Sequence, residues 1–236
     1  MHKAGIDRAQ LSRRDRAVRV RGLYAVTPDL ADTAELVARV EAAVEGGANA
    51  IQYRNKLADA SLRRRQAEAL ARVAAKHHAL LVINDDPALC AVVDADGVHV
   101  GKDDGGVDAA RRIVGGNRIV GVSCYDDFAL AEAAVTAGAD YVAFGSFFPS
   151  SVKPDACRAD IALLRRAATL GVPVVAIGGI NATNVRELRR AGAHAAAVIS
   201  AVFDAPDVTA AARAIAATFD ETPDSSQEHA TEADLP

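Results

Sequence analysis

Eight short apolar runs, each followed by a helical or polar segment, predict a closed (β/α)8 barrel of the TIM type. The runs are almost continuously apolar, which is typical of parallel strands that are buried on both faces. About eight β-then-α units fit into roughly 200 of the 236 residues, a usual length for a barrel domain. No GxGxxG pattern follows the first run, so an open dinucleotide-binding sheet is the weaker alternative.

The first two units show the alternation clearly. A strand is expected within Arg21–Asp29, and Asp32 or Thr33 then caps a helix that runs to Glu45. A second strand, Ala50–Arg54, precedes a long helix from about Ser61 to His77, in which apolar residues recur at helical spacing.

The later units repeat this pattern with shorter helices. Turn residues bound each apolar run, and two further helices are expected at Thr183–Ala191 and Asp207–Phe219. The remaining strands are predicted at Leu80–Asn84, Gly97–Val100, Ile119–Ser123, Tyr141–Phe144, Pro173–Ile177 and Ala196–Ile199.

Composition narrows the function classes. A net charge of −4 gives no reason to expect nucleic acid as a partner. No run approaches the roughly 18 apolar residues of a membrane span. Three cysteines form an odd set without zinc-type spacing, so neither a disulfide framework nor a metal cage is indicated. We expect a cytoplasmic protein that acts on small molecules.

The ends of the chain differ from its centre. Residues 1–20 are basic and lack the apolar segment of a secretory signal, so they are expected to form a loose or helical extension. Residues 221–236 are acidic and poor in apolar side chains, and we expect a disordered tail there. The predicted barrel domain spans residues 21–220.

Polar side chains cluster where the strands end, and a barrel brings those ends into one mouth. Gln52, Arg54 and Lys56 alternate after the second strand, which fits ligand contact or a solvated rim. Asp85 after strand three and Asp104 after strand four fit a magnesium-bound diphosphate. The alternative is that Asp85, Asp86 and Asp104 cap helices.

Two loops offer further anion contacts. The loop after strand six carries Ser146, Ser150, Ser151 and Lys153, whose donors suit a phosphate, although a solvated surface loop has the same composition. The turn with Gly178 and Gly179, and the segment Ile199–Ala201, follow strands seven and eight. Barrels often bind phosphate there, and a plain tight turn is the alternative.

Two residues whose side chains often take part in catalysis are interpreted here as structural. His99 lies within strand four, where a packed, hydrogen-bonded histidine is commoner than a catalyst. Cys124 follows a strand end without an identifiable base nearby, so a nucleophilic role is not expected.

The ordered set LYAVTP, AIQYRNK, VINDD, GVHVGKDD, GVSCY, FGSFFPSSVKPDA, AIGGIN and VISAVF over residues 21–215 resembles the thiamine-phosphate synthase family. The resemblance implies a (β/α)8 transferase of thiamine biosynthesis. It would join 4-amino-2-methyl-5-hydroxymethylpyrimidine diphosphate to 4-methyl-5-(2-phosphoethyl)thiazole and release diphosphate, with Mg²⁺ as cofactor. A dissociative mechanism through a pyrimidine-methyl cation is implied, which needs charge neutralisation rather than a strong base.

The resemblance also implies a role for individual residues. Lys153, Arg54 and Ser123 would be catalytic, and Asp85 and Asp104 would bind the metal. The substrate-binding residues would be Gln52, Arg54, Lys56, Asn84, Ser123, Ser150, Lys153, Gly179, Ile199 and Ser200.

One departure from the family pattern concerns the loop after strand six. The family has a motif like P-T-x-T-K, whereas Val152 replaces the second threonine here and Ser150 the first. A lost hydrogen bond to a charged group costs about 1.5–3 kcal/mol, so slower catalysis or weaker binding is expected, and Ser151 is a candidate for compensation.

Two other functions stay open on this barrel. A thiazole tautomerase needs neither diphosphate nor metal, and the presence of Arg54, Lys56, Asp85, Asp104 and Lys153 argues against it. A non-catalytic binder of phosphate ligands is the second alternative. Assembly into a homo-oligomer is possible on either interpretation.

Overall fold

Eight parallel strands pair in chain order and close into one barrel, with β1 hydrogen-bonded to β8. The computed structural model describes residues 11–101, 104–149 and 158–221. The strands are β1 (Gly22–Val26), β2 (Ala48–Tyr53), β3 (Leu80–Asn84), β4 (Gly97–Val100), β5 (Ile119–Tyr125), β6 (Tyr141–Phe144), β7 (Val174–Ile177) and β8 (Ala195–Val198). The predicted (β/α)8 barrel is confirmed.

Helices alternate with the strands and cover the outside of the barrel. In the described part of the chain they are α1 (Arg13–Ala17), α2 (Thr33–Glu45), α3 (Ala60–His77), α4 (Pro87–Val92), α5 (Gly106–Val114), α6 (Phe128–Thr136), α7 (Ala162–Ala167), α8 (Val185–Arg190), α9 (Ser200–Phe203) and α10 (Val208–Asp220). A 3-10 helix follows α7 at Ala168–Leu170. None of these helices is both long and apolar enough to cross a membrane.

Strands three, four and six have the predicted bounds, and the others shift by a few residues. The first strand ends at Val26, directly before Thr27 and Pro28, the two residues that the sequence predicts to end it. The Thr27 hydroxyl there bonds to the backbone of Arg54. The last strand ends at Val198, since Ile199 leaves the strand conformation and is the N-cap of α9. Ser200 therefore lies in a helix rather than in the expected loop.

The apolar residues form an outer layer and an inner cluster. The outer layer lies between strands and helices, and the inner cluster fills the barrel with residues such as Tyr24, Leu80, Val82 and Tyr141. Both layers come from side chains that alternate along each strand.

The N-terminal segment closes the lower end of the barrel. Ala17 and Val20 belong to the inner cluster. Arg16 Nε lies 3.3 Å from the buried Asp96 carboxylate, and Arg13 Nε lies 3.1 Å from Asp140. The basic residues of this segment thus neutralise carboxylates at the amino ends of strands. The predicted domain division at residues 20 and 220 stays a prediction, and residues 222–236 lie outside the described part.

Gly121 makes room for an aromatic ring inside the barrel. It pairs with Tyr141 in the register of β5 and β6, and a Cβ atom added there would lie 1.9 Å from the Tyr141 ring. Among the described residues, Gly116 has no heavy atom within 4 Å of such a Cβ, and its backbone is not left-handed.

We therefore expect Gly121→Ala to lower the free energy of unfolding by at least about 1–3 kcal/mol, the usual cost of overpacking a core. Gly116→Ala is the control and should change it by under about 0.5 kcal/mol. Denaturant titration followed by circular dichroism measures both. Equal midpoints for the two variants would contradict the packing described here.

Candidate active site

The carboxyl ends of the strands surround a cavity of about 550 Å³. A second cavity of about 280 Å³ lies beside it, at the ends of β2 and β3. Arg54 and Asn84 line both cavities, so the two form a continuous polar region. Of the predicted site residues, the larger cavity is lined by Gln52, Arg54, Asn84, Ser123, Gly179, Ile199 and Ser200, and the smaller by Arg54, Lys56, Asn84 and Asp85.

The end of β1 holds the end of β2 in place. Thr27 Oγ1 donates to the Arg54 carbonyl at 2.8 Å and accepts from the Arg54 N–H at 2.9 Å. Asp29 accepts from the Lys56 backbone N–H at 2.7 Å and pairs with the Arg54 guanidinium at 3.3 Å. The two cationic residues are therefore fixed by their backbone, while the Lys56 side chain lines the smaller cavity.

The structure separates the acidic residues that the sequence left ambiguous. Asp86 caps α4 by accepting from the Leu89 N–H at 2.8 Å. The N-cap residue of α5 is Gly105, so no side chain forms a capping hydrogen bond there. The Asp104 carboxylate instead accepts a hydrogen bond from the Gly101 N–H at 2.6 Å. The capping alternative therefore applies to Asp86 and not to Asp85 or Asp104.

Asp85 and Asp104 are close enough to act on each other. Burial first, and then contact and charge repulsion from Asp104, raise the pKa of the Asp85 carboxyl, while Lys56 opposes this effect. Asp85 also holds a left-handed backbone, with φ 59°, which is uncommon outside glycine and found at functional sites. Two carboxylates in this arrangement suit a hard cation such as Mg²⁺, which takes one or two carboxylates and completes its shell with other oxygens.

Within the described ranges, no three His, Cys, Asp or Glu side chains are grouped so that they could hold a metal ion. A cation at Asp85 and Asp104 would thus depend on oxygens from water or substrate.

The loops after β6 and β7 pack against each other. The Phe148 N–H donates to the Gly178 carbonyl at 3.1 Å, and Ser146 Oγ donates to the Phe148 carbonyl at 2.9 Å. Gly179 has φ 63°, and a Cβ atom there would lie 2.2 Å from the Pro149 carbonyl oxygen. A glycine is therefore required where the two loops touch. Ser150, Ser151, Val152 and Lys153 lie outside the described residues.

His99 has the packed environment that the sequence analysis expects. Its Nδ1 lies 3.0 Å from the Tyr141 hydroxyl and its Nε2 lies 2.8 Å from Ser123 Oγ. Burial lowers the pKa of the His99 imidazole to about 4, so the ring is neutral near pH 7. Both ring nitrogens are engaged, which leaves no free site for a general base.

Sequence reasoning missed three side chains at the site. Tyr24 lines the larger cavity and Tyr141 contacts His99 below it, but both read only as strand residues. Arg63 lines the smaller cavity, and its buried Nε has no hydrogen-bond partner among the residues that the structure describes. For the tyrosines, the only signal in the sequence is a position in a strand whose side chain faces the barrel interior. For Arg63 there is no signal, because nothing in the sequence distinguishes it from the neighbouring arginines on α3.

The fold and the mouth together define a (β/α)8 barrel whose carboxyl end offers cations, a carboxylate pair and glycine-rich loops to an anionic small molecule.

Comparison with known proteins specifies the family. The family model "Thiamine monophosphate synthase" matches residues 23–202. Thiamine-phosphate synthase of Chromobacterium violaceum is 54% identical over 201 residues, which are 85% of this chain and 97% of that protein. The enzyme of the same name from Methylobacillus flagellatus is 51% identical over 194 residues, or 82% and 93% of the two chains. The chain belongs to the thiamine monophosphate synthase family.

Solved structures agree with this assignment. Thiamine phosphate pyrophosphorylase from Pyrococcus furiosus superposes with a TM-score of 0.77 at 35% identity and covers 87% of this chain and 98% of its own. A 3-hexulose-6-phosphate synthase, at 20% identity and a TM-score of 0.62 over 83% and 99% of the two chains, shows likeness of fold alone.

We expect Asp85→Asn and Asp104→Asn each to weaken Mn²⁺ binding by about tenfold or more, because loss of even an outer partner of a metal site costs this much. Electron paramagnetic resonance of free Mn²⁺ measures the affinity. Asp108→Asn changes an exposed carboxylate in the first turn of α5 and is the matched control. The same affinity in all four proteins would exclude this pair as a cation site.

Proposed function

We propose that the protein is a thiamine-phosphate synthase. It joins 4-amino-2-methyl-5-hydroxymethylpyrimidine diphosphate to 4-methyl-5-(2-phosphoethyl)thiazole and releases thiamine phosphate and diphosphate. The observation that carries this proposal is identity of about 50% to synthases over nearly their whole length. The convergence of the family's motif residues on one mouth supports it.

The diphosphate of the pyrimidine substrate is assigned to the smaller cavity. Arg54 and Lys56 supply positive charge there, and Asp85 with Asp104 would hold Mg²⁺ beside the diphosphate. When bound, Mg²⁺ neutralises charge that develops on the leaving diphosphate. Arg63 lines the same cavity and adds a third cation to this environment.

The bond to the diphosphate breaks first in the proposed mechanism, and the thiazole nitrogen then captures the pyrimidine-methyl cation. This route needs stabilisation of a leaving anion and correct positioning, which both contribute more than a base would. A neutral His99 with both nitrogens occupied is consistent with chemistry that uses no general base. Ser123 lines the cavity wall and is proposed to contact the departing or reacting groups.

The phosphate of the thiazole substrate is assigned to the loops after β7 and β8. Gly179 has no side chain at the point of closest approach to Pro149, and Ile199 leads directly into α9, whose first residue is Ser200. Loops after strands seven and eight with a short extra helix are a common phosphate site in barrels. In this arrangement the two substrates lie end to end across both cavities, with the diphosphate in the smaller cavity and the thiazole phosphate at the opposite side of the larger one.

The loop with Ser150 and Lys153 completes the proposed site. We retain Lys153 as a diphosphate contact and Val152 as a position without the family's hydroxyl, on the basis of sequence alone. The cytoplasm is the proposed location. Cys90 and Cys124 are both free and buried, as expected in a reducing compartment. A homo-oligomer stays a prediction.

We expect the purified protein to form thiamine phosphate and diphosphate from the two substrates with Mg²⁺, and EDTA to abolish the reaction. Mass spectrometry detects both products. Product without dependence on a divalent metal would contradict the assigned role of Asp85 and Asp104. A folded protein that binds the thiazole phosphate without making product would indicate a tautomerase or a binder.

Substitutions of the diphosphate site should separate chemistry from folding. Asp85→Ala and Lys153→Ala are each expected to reduce turnover by orders of magnitude. Asp85 would hold the Mg²⁺ and Lys153 would contact the diphosphate, so either change removes positive charge from beside the leaving group. Melting followed by circular dichroism should change little. Wild-type turnover in both variants would contradict the assignment of this site.

Gly179→Ala should raise the KM for the thiazole phosphate by about tenfold or more, the cost of one lost hydrogen bond to a charged group. The added methyl would displace the Pro149 carbonyl. Gly171→Ala is the matched control, since Gly171 also has a left-handed backbone, with φ 71°, but its added Cβ has no heavy atom of the described residues within 4 Å. Steady-state kinetics in which both variants behave alike would contradict a role specific to Gly179.

A further inference from the structure

We propose that a chain of hydrogen bonds across the barrel interior fixes which substrate-facing groups donate and which accept. The members of this interior chain are Gln52, Tyr24, Tyr141, His99 and Ser123. Tyr24, Tyr141 and His99 act as positioning residues, and the two ends of the chain, Gln52 and Ser123, face the larger cavity. The inference rests on the proposed function for the identity of the substrates, but not for the chain itself.

The interior chain is continuous, and its five members come from five different strands. Gln52 Nε2 lies 3.1 Å from the Tyr24 hydroxyl, which lies 2.8 Å from the Tyr141 hydroxyl. Tyr141 Oη lies 3.0 Å from His99 Nδ1, and His99 Nε2 lies 2.8 Å from Ser123 Oγ. All members except the half-buried Ser123 are buried, so water does not compete for the inner links.

The direction of the chain follows from its first member. The Gln52 amide nitrogen can only donate, so Tyr24 Oη accepts there. Among the described residues the Tyr24 hydroxyl has one other hydrogen-bond partner, Tyr141, and a buried hydroxyl proton needs an acceptor. Tyr24 therefore donates to Tyr141.

The same reasoning gives the donor and the acceptor of the remaining hydrogen bonds, from Tyr141 to Ser123. The Tyr141 hydroxyl has accepted from Tyr24 and donates its proton to His99 Nδ1. A neutral imidazole that accepts at Nδ1 carries its proton on Nε2, and it donates that proton to Ser123 Oγ. This order requires every member to be neutral. Tyr24, Tyr141 and His99 are buried and their side chains bond to uncharged partners, and such burial favours the neutral form.

The consequence lies at the two ends of the chain. Gln52 donates one amide N–H to Tyr24 and presents its Oε1 carbonyl to the cavity as an acceptor. Ser123 accepts a hydrogen bond from His99 and presents its hydroxyl proton to the cavity as a donor. The cavity therefore selects an N–H group of the substrate beside β2 and a lone pair beside β5. The proposed aminopyrimidine diphosphate carries both, as its amino group and as its ring nitrogens or diphosphate oxygens.

Packing keeps the interior chain rigid. The rings of Tyr24 and Tyr141 meet edge to face at 6.1 Å, and His99 stacks on Tyr141 at 5.5 Å. Gly121 leaves the space that the Tyr141 ring fills. Phenylalanine at either tyrosine would keep these ring contacts and remove only the hydroxyl, so it tests the hydrogen bonds separately from the packing.

The first test reads the proton on His99 directly. Long-range ¹H–¹⁵N correlation spectra of the full chain labelled in its six histidines identify the tautomer of each ring. His99→Gln assigns the signal, and if that variant does not fold, single substitutions of the other five histidines assign it by exclusion. The expected result is a proton on Nε2 and a hydrogen-bonded, unprotonated Nδ1. A proton on Nδ1 would mean that the hydrogen bonds of the interior chain point in the opposite direction, and it would overturn the proposal.

A variant pair makes this test specific. Tyr141→Phe removes the donor to Nδ1, so the Nδ1 resonance should move toward the value of a free ring nitrogen. Tyr53→Phe removes another buried tyrosine hydroxyl, which bonds Gln66 at 2.9 Å outside the interior chain, and should leave the His99 signals in place. Unchanged His99 signals in Tyr141→Phe would overturn the proposal. These spectra need no turnover, so they stand or fail independently of the proposed activity.

Kinetics then test the link to catalysis. Tyr24→Phe and Tyr141→Phe should each lower kcat/KM for the pyrimidine diphosphate by about tenfold, as expected for one link of a buried network. The double variant should lose little more than either single variant, because residues of one chain act as a unit. Losses that multiply, or no loss at all, would refute a positioning role. If the wild type makes no product but the spectra agree, the proposed function fails and the interior chain stands.

Discussion

The pairing of β1 with β8 is the constraint on which the rest of the molecule depends. Its register sets Ala25 opposite Val198, and on the other side of β1 Val26 lies opposite Gln52. Closure brings eight carboxyl ends to one mouth and leaves no strand edge to be satisfied elsewhere. A slip by one residue would exchange the inner and outer faces of a strand, and Gln52 would then point at the helices instead of the cavity.

The two ends of the barrel divide stability from function. The lower end is closed by α1 and by buried carboxylates such as Asp96, which accepts from the Leu81 N–H at 2.8 Å and pairs with Arg16. The upper end stays open, and there Asp85 takes a left-handed backbone. Strain and mutual repulsion are tolerated at the mouth because the closed end and the apolar layers hold the strands in place. Ionisable side chains thus have two roles in this barrel. At the lower end they form ion pairs that stabilise the fold, and at the upper end they surround the cavity.

Much of the fold was predictable because the signals are local. Apolar runs bounded by turn residues define β3, β4 and β6 to the residue, and Asp32 before a periodic segment marks the start of α2. The candidate site was predictable for a related reason: in a barrel every strand end reaches the mouth, so polar residues such as Gln52 and Asn84 can be assigned to it without knowing their neighbours. The family pattern then names which of them belong together.

The sequence by itself determined the barrel, the set of strand-end residues and the family. Only the tertiary structure decided their pairing: that Asp86 caps a helix while Asp85 meets Asp104, and that Tyr24 and Tyr141, 117 residues apart, share a hydrogen bond. The physical reason is the range of the interactions. Strand and helix patterns depend on residues a few positions apart, whereas hydrogen-bond partners inside the barrel are chosen by strand register and side-chain direction, which exist only once the barrel has closed.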